Sequence, residues 1–376
     1  MPRPVSPAGR SPSAGEVSAA PSGAKDGGGT EDLPLFLRDC WYMACLAASV
    51  AKAGLKREML LGEPVLVGRG RDGKVFALRD ICPHRGVPLS AGQVLADNTV
   101  ECPYHGWRFR GDGQCALIPS LVGGEQVEAA RIKLRSYPVR EQDGLIWVYM
   151  AAPSHENAPP RGEPPRVGVP DAKPRWHESQ LFACAIDHAV IGLMDPAHAP
   201  YVHGRWWWRV RPKDKVKNYA PLANGFVMTR HRPSKPMYGI LGADVATEIT
   251  FELPSIRFEN ITGTLFGRRI AVVGLTTCTP RDADTTEVTQ VFYWPAWLGF
   301  IKPFFMLLGP TFLGDDRRMV ELQKEGLKFT PPLMLIQDSD VPAMWYHRLK
   351  KAWAESVRTG APFVNPVTAR TLRWRS

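Results

Sequence analysis

Cysteine is scarce in this sequence: seven among 376 residues, at Cys40, Cys45, Cys82, Cys102, Cys115, Cys184 and Cys278. The odd count and irregular spacing argue against a disulfide framework. Large apolar side chains are almost missing from residues 1–33, where Gly, Ser, Ala and Pro dominate. Such a stretch cannot bury enough surface to offset the entropy of ordering, so a disordered tail is expected there. It also lacks the apolar core of a secretory signal. It is poor in acidic residues, as transit peptides are, but shows no amphipathic pattern. No flavin or nicotinamide fingerprint occurs in the sequence. The net charge is +10, with clusters in RWWWRVRPKDKVK (Arg205 to Lys217), HRLKK (His347 to Lys351) and RTLRWRS (Arg370 to Ser376). Basic residues interleaved with tryptophan can mark nucleic-acid binding. No nucleic-acid-binding fold signature accompanies these; a solvated basic face is the expectation, with attraction of an acidic partner protein as the functional alternative.

What is present is two short motifs, CPHRG (Cys82 to Gly86) and CPYHGW (Cys102 to Trp107). Together they read C-x-H, seventeen residues, C-x-x-H. Two thiolates on one iron and two imidazoles on the other can hold a [2Fe–2S] cluster of the Rieske type. Neutral imidazoles in place of thiolates make such a cluster less negative and raise its potential. A structural zinc site accepts the same residue types. The cluster reading is favoured because Pro83 and Pro103 stiffen the loops and remove N–H groups, while Gly86 and Gly106 permit close backbone approach. Cys115 lies near the second loop and reads as a small buried residue, not a ligand. An iron–sulfur cluster wants a reducing compartment, so the cytoplasm is expected.

A second constellation lies in DPAHAPYVHG (Asp195 to Gly204). His198 and His203 are five residues apart, too far round an ideal helix to share one metal, so a break is required, and Pro200 could supply it. With one carboxylate they could form a two-His, one-carboxylate site for a mononuclear Fe(II). The carboxylate must come from elsewhere, and Asp315, Asp316 and Asp338 are the candidates. His155, His177, His188, His231 and His347 carry no comparable pattern, and a structural role is expected for His188.

In these motifs, and in WYMA (Trp41 to Ala44), LLGEPVLVGR (Leu60 to Arg69), DGKVFALRDICPHRGVPLSAG (Asp72 to Gly92) and GLIWVYM (Gly144 to Met150), the chain resembles the oxygenase (alpha) components of Rieske non-heme iron oxygenases. The single-subunit-type enzymes, such as dicamba monooxygenase and 3-ketosteroid 9α-hydroxylase, are the nearest in style. The resemblance implies an α+β chain: an all-β Rieske domain over 34–152, a Pro-rich linker over 153–180, and a catalytic helix-grip domain over 181–376. It implies Asp316 as third iron ligand, with Asp315 as runner-up. It implies that Asp195 bridges His198 to cluster ligand His105 of the partner subunit in a homotrimer. A helix N-cap before Pro196 is the plainer reading of Asp195, and both can hold. A ferredoxin or flavin reductase would deliver electrons, and O₂ would oxidise a small aromatic or lipophilic substrate by hydroxylation, demethylation or cis-dihydroxylation. An electron carrier without oxygenase activity is the competing reading. Gly192 stands where many relatives carry Asn, which opens space beside the iron.

Short apolar runs predict strands over 64–68, 74–78, 99–101 and 145–150, then 180–186, 225–232, 246–253, 268–278 and 286–294. Helices are expected over 316–327 and 341–357. The most apolar stretch, 294–314, reads as buried core interrupted by three prolines and Lys302, not as a membrane span. By resemblance, Phe304 to Leu308 would line an access path for a lipophilic substrate. Trp206 to Trp208 could line the pocket or a subunit interface.

Overall fold

The structure, a computed structural model, describes residues 33–122, 129–203, 212–233, 236–242 and 244–376. The expected tail and the Trp206 to Trp208 triplet therefore lie outside the described residues, apart from Leu33.

The first part of the chain is all β. Strands β1 (Cys40–Leu46), β2 (Leu55–Leu60), β3 (Glu63–Arg69), β4 (Val75–Arg79), β5 (Gln93–Val94), β6 (Val100–Glu101), β7 (Arg108–Phe109), β8 (Cys115–Leu117), β9 (Val139–Gln142) and β10 (Leu145–Met150) form three antiparallel sheets. Their orders are β1-β10-β9, β2-β3-β4 and β5-β6-β7-β8. The last is a set of very short strands; the Cys82 loop leads into it from β4, and the Cys102 loop connects β6 to β7. Its core holds Leu66, Leu78, Leu89, Val100 and Phe109, all fully buried. Burial on both faces of β10, LIWVYM, explains why that strand is a continuous apolar run with no alternation.

The second part is one antiparallel sheet with helices against it. Strands β11 (Trp176–Phe182), β12 (Asp214–Pro221), β13 (Gly225–His231), β14 (Ala246–Glu252), β15 (Ile256–Leu265), β16 (Arg268–Pro280), β17 (Thr286–Tyr293) and β18 (Arg370–Arg375) run in the order β11-β17-β16-β15-β14-β13-β12-β18. Four helices follow the labels α1 (Ile186–Met194), α2 (Ala199–Val202), α3 (Lys302–Leu327) and α4 (Val341–Thr359). Helix α4 buries Trp345, Leu349 and Trp353, four residues apart, in the core that also holds Tyr219, Phe226 and Phe251 of the sheet, with Trp345 packed on Tyr219 and Phe226. It stops at Gly360, whose φ of 74° is the left-handed terminator and whose N–H bonds Ser356 O at 3.0 Å.

One anchor sets the position of α1. The Lys350 ammonium on α4 is 2% exposed and bonds both Asp187 oxygens at 2.7 and 2.8 Å, and the Tyr346 hydroxyl donates to the same carboxylate at 2.7 Å. A buried cation held this way ties the start of α1 to the core, because removing either partner strands a charge.

The segment 294–314 departs from its expectation. Only Leu298 and Leu313 and the sheet-facing Trp294 are buried in it, while Phe300, Met306 and Leu307 are exposed. Nor do its prolines break it. Pro303 sits in the first turn of α3, where its missing N–H has no partner to lose, and Pro310 is carried inside the helix. The helical run Ala296–Leu327 is thus long and apolar enough, by length and composition, to cross a membrane, and 11% of its most apolar window is buried.

Candidate metal centres

The Cys82 and Cys102 loops are built alike. Cys82 N–H bonds Val87 O at 2.9 Å and Gly86 N–H returns to Cys82 O at 2.9 Å; Cys102 N–H bonds Trp107 O at 2.8 Å and Gly106 N–H returns to Cys102 O at 3.1 Å. Closing each loop this tightly requires a left-handed residue, and Gly86 (φ 75°) and Gly106 (φ 69°) supply it. Both cysteines are buried and both histidines, His84 and His105, are exposed at the tip. Their rings lie 4.5 Å apart, and His84 stacks on Trp107 at 4.9 Å. Burial pushes the Cys82 thiol up to about 11, against N–H groups of His84 and Arg85 that favour the thiolate. Among the described residues, ligand atoms within 4.8 Å of one another occur as a trio only at His198, His203 and Asp316. The Cys82 thiol faces Cys102 and the His84 ring faces His105, a pairing of like ligands that suits division between two irons. Cys115 is buried with its thiol toward Leu117 O, in agreement with a packing role.

The second set forms where α1, α2 and α3 meet. Helix α1 ends at Asp195, α2 is four residues long, and His198 and His203 are its two flanking residues. The backbone leaves the helical region at His203 (φ −95°, ψ 51°), and this lets two histidines five apart face one point. Pro200 opens α2 and does not break it, contrary to the expectation from its position. Asp316 Oδ1 lies 3.6 Å from His198 Nε2 and 3.3 Å from His203 Nε2. Asp315 Oδ2 lies 3.7 Å from His203 Nδ1, on the other side of that ring from Asp316. Asp338 is turned away, bonding Arg370 and the Arg373 N–H.

His203 is 1% exposed, and neither ring nitrogen has a hydrogen-bond partner. Leaving two buried polar atoms unpaired costs ~1–3 kcal/mol each. A metal bound by His203 Nε2 and by the adjacent carboxylate answers part of that cost, so these residues fit a mononuclear ion. His198 Nδ1 bonds the Asp195 carbonyl at 2.8 Å, which leaves Nε2 free to face the trio. Burial opposes a charge on His198, but the Asp195 and Asp316 carboxylates outweigh it and hold its pKa above the usual histidine value.

Asp195 is not a helix N-cap. It closes α1 through its N–H to Ile191 O, and its carboxylate accepts the Ala197 N–H at 2.7 Å, two residues on. Its second oxygen, 3.6 Å from His198 Nδ1, stays on a partly exposed side chain.

A cavity of about 330 Å³ opens beside the trio. Phe182, Ile191, Leu193, Val288, Leu313 and Val320 make its apolar walls, and His188, Gln323, Ser339 and Asp340 add polar groups. From the 294–314 segment only Leu313 contributes; Phe304 to Leu308 do not line it, because Phe305 packs on Trp176, Phe292 and Trp294 and its neighbours point outward. Gly192 does line it, and a Cβ there would meet nothing within 4 Å. His188 borders this cavity and a smaller one of about 150 Å³ beside it, sharing both with Val320 and Gln323. Burial lowers its pKa. Gln323, Ser339 and Asp340 carry no motif that would single them out beforehand. The i+7 spacing of Asp316 and Gln323 on one helix is the only signal available for Gln323.

Residues 40–138 match the Rieske [2Fe–2S] domain family. The chain is 37% identical over 171 residues to the oxygenase component of dicamba O-demethylase from Stenotrophomonas maltophilia, covering 45% of this chain and 48% of that one. It is 36% identical over 196 residues to chlorophyllide a oxygenase from Chlamydomonas reinhardtii, covering 50% of this chain and 28% of that one. The matches thus span about a quarter to a half of those relatives' lengths. The crystal structure of dicamba monooxygenase bound to 3,6-dichlorosalicylic acid superposes with a TM-score of 0.67 at 25% identity, over 86% of this chain and 99% of that one. Pseudomonas putida CBB5 NdmA, in a variant crystallised with caffeine, superposes with a TM-score of 0.65 at 20% identity over 88% and 96% of the two chains.

Proposed function

We propose that this chain, a homologue of Rieske oxygenase alpha components that pairs a Rieske [2Fe–2S] domain with their sheet-and-helix domain, is the oxygenase component of a multicomponent monooxygenase. The observation that carries this is the second ligand set: an electron carrier needs no His198, His203 and Asp316 within 4.8 Å beside a cavity. Cys82, His84, Cys102 and His105 would hold the [2Fe–2S] cluster, and His198, His203 and Asp316 the mononuclear iron. When bound, that iron supplies the centre at which O₂ is reduced and the substrate oxidised.

The chain's own residues do the rest. The Asp195 carbonyl fixes the His198 tautomer, and α3 presents Asp316 from the opposite side. The apolar cavity walls keep water from the reacting centre and orient a flat, lipophilic substrate of aromatic or polycyclic type. Among the described residues no arginine or lysine lines the cavity, which suits a neutral substrate or a neutral part of one. Hydroxylation or oxidative demethylation is the reading, with ring dihydroxylation as the alternative. The exposed His84 and His105 tip and the partly exposed Asp195 carboxylate support electron passage between neighbouring subunits of a homotrimer, Asp195 meeting His105 of the partner subunit. Electrons would come from a ferredoxin or a flavin reductase.

The test is a metal count combined with turnover. Three irons per chain, visible Rieske bands, and substrate oxidation that needs reductase and O₂ are expected. Two irons with the same bands and no product over a panel of aromatic and polycyclic substrates would leave an electron carrier.

A further inference from the structure

Opposite the cavity end of α3, the chain displays a surface that the iron chemistry does not use. The β15–β16 hairpin turns at Phe266 and Gly267, both at positive φ (51° and 73°). Two-residue turns of this kind favour Asn, Asp or Gly, and a bulky aromatic at the first position is unfavourable in both backbone and solvation. Phe266 is nevertheless 82% exposed. Arg268 beside it lies over the Trp297 ring at 5.9 Å, so the hairpin tip and the 3₁₀ turn Ala296–Ile301 form one surface. In a 3₁₀ turn residues three apart share a side. Trp297 and Phe300 therefore project together, while Leu298 and Ile301 pack inward on the satellite core with Trp294 and Phe305. The first turn of α3 extends the surface with Lys302 and Phe304, both exposed.

The charge on this surface is one-sided. Residues 260–281 and 288–314 contain no Asp or Glu. Arg268, Arg269 and Lys302 are exposed and form no ion pair among the described residues; Asp244, on the neighbouring turn, feels Arg269 and is itself held by Thr264. Aromatic side chains at the level of a ring of cations are what a lipid headgroup region accepts: Trp and Phe enter the interface, and Arg and Lys meet anionic phosphates. A second copy of this face packed on the first would instead set cation against cation. The helix does not span: its second half carries Asp316, Arg317, Arg318, Glu321, Lys324 and Glu325, and Asp316 is committed to the histidines.

We infer that the hairpin tip Phe266–Arg269 and the turn Trp297–Lys302 form a membrane-docking surface that seats the protein on anionic bilayers without crossing them. The inference is independent of what the iron site oxidises.

The experiment is co-flotation of the metal-loaded full chain with unilamellar vesicles of phosphatidylcholine alone or with 30 mol % phosphatidylglycerol, run with light scattering of the free protein. Binding to the anionic vesicles and weak binding to the neutral ones are expected, with loss on raising the salt from about 0.05 to 0.5 M. The double variant Arg268→Glu/Lys302→Glu should bind at least about tenfold more weakly, and Phe266→Asn/Phe300→Ser should also lose binding, with cluster spectrum and mass in solution unchanged. Phe266→Asn suits the turn, so it should not impair folding. Absence of flotation with anionic vesicles overturns the inference, as does binding that neither variant alters. A fall in solution mass in either variant would assign the face to a subunit contact and overturn it equally.

Discussion

The two ligand sets of this molecule solve the same problem by different means. At the Cys82–His105 tip, each half-site is a single loop: two ligands, a proline, a glycine and a pair of backbone hydrogen bonds lie within six residues. The geometry is local, so the loops hold their shape on a sheet of two- and three-residue strands. At His198, His203 and Asp316 the ligands come from a helix break and from a separate long helix. Nothing local brings Asp316 to the histidines; the packing of α3 and α1 on the sheet does, with Lys350 and Asp187 pinning α1. The first site should therefore be robust to changes elsewhere in the chain, and the second sensitive to them.

The largest effect should come at the local site. Cys82→Ser or Cys102→Ser replaces a thiolate with a hydroxyl, a poor iron ligand at neutral pH, and should abolish the visible cluster bands. A normal absorption spectrum in either variant would refute the ligand assignment. At the assembled site, His198→Ala or Asp316→Ala should leave those bands intact and remove the third iron, with turnover falling by at least ~100-fold. Asp315→Ala should keep the iron. If Asp315→Ala loses it and Asp316→Ala does not, the two carboxylates have exchanged roles.

The same contrast has a pH signature. The neighbouring carboxylates hold the His198 pKa above the ordinary histidine value in the metal-free chain. A proton then competes with iron for the ring as pH falls through that raised pKa, so iron affinity should be lost at a higher pH than an ordinary histidine would give. Iron titration of apoprotein across pH 5.5 to 8.5, flat in this range, would remove the argument.

Asp195→Asn tests the proposed connection between sites. Its carbonyl still holds His198 Nδ1, and an amide oxygen can still accept the Ala197 N–H, so fold and iron loading should persist. The negative charge is gone, and the proposed charge-assisted hydrogen bond to His105 of the partner subunit would become a weaker neutral one. Turnover should drop ~10–100-fold or more, read by rapid-mixing oxidation of the pre-reduced protein. Unchanged transfer with both metals present would reduce Asp195 to its turn-closing role. The smallest effect is expected from Gly192→Ala. The site has open space for a Cβ and lies within α1, so the variant should gain ~0.5–1 kcal/mol in denaturant unfolding. A loss of stability there would mean that the backbone needs glycine.

The two sites were also unequally legible. Cys82, His84, Cys102 and His105 are readable because ligand, turn and glycine recur at fixed offsets within each loop. Strands β3, β10, β13, β14, β16 and β17 were legible from apolar or β-branched runs bounded by Gly, Asp or Pro. β12, β15 and β18 were not. DKVKNYAP and RTLRWR have one partly wet face and many cations, and tertiary pairing supplies their order. Helix α3 begins at Lys302, not near Asp316, because its first turns need little burial to form once Pro303 is placed at the start.

By itself, the sequence determined the ligand chemistry: two thiolates, four imidazoles and a choice of carboxylates, with the turns that let each loop close. Those features depend on residue type and short spacing. Only the tertiary structure decided which carboxylate faces both histidines, that the break between them lies at His203 and not at Pro200, and that the most apolar segment of the chain faces outward. Each of these depends on how distant elements pack, and a helix is equally apolar in sequence whether its face is covered or bare.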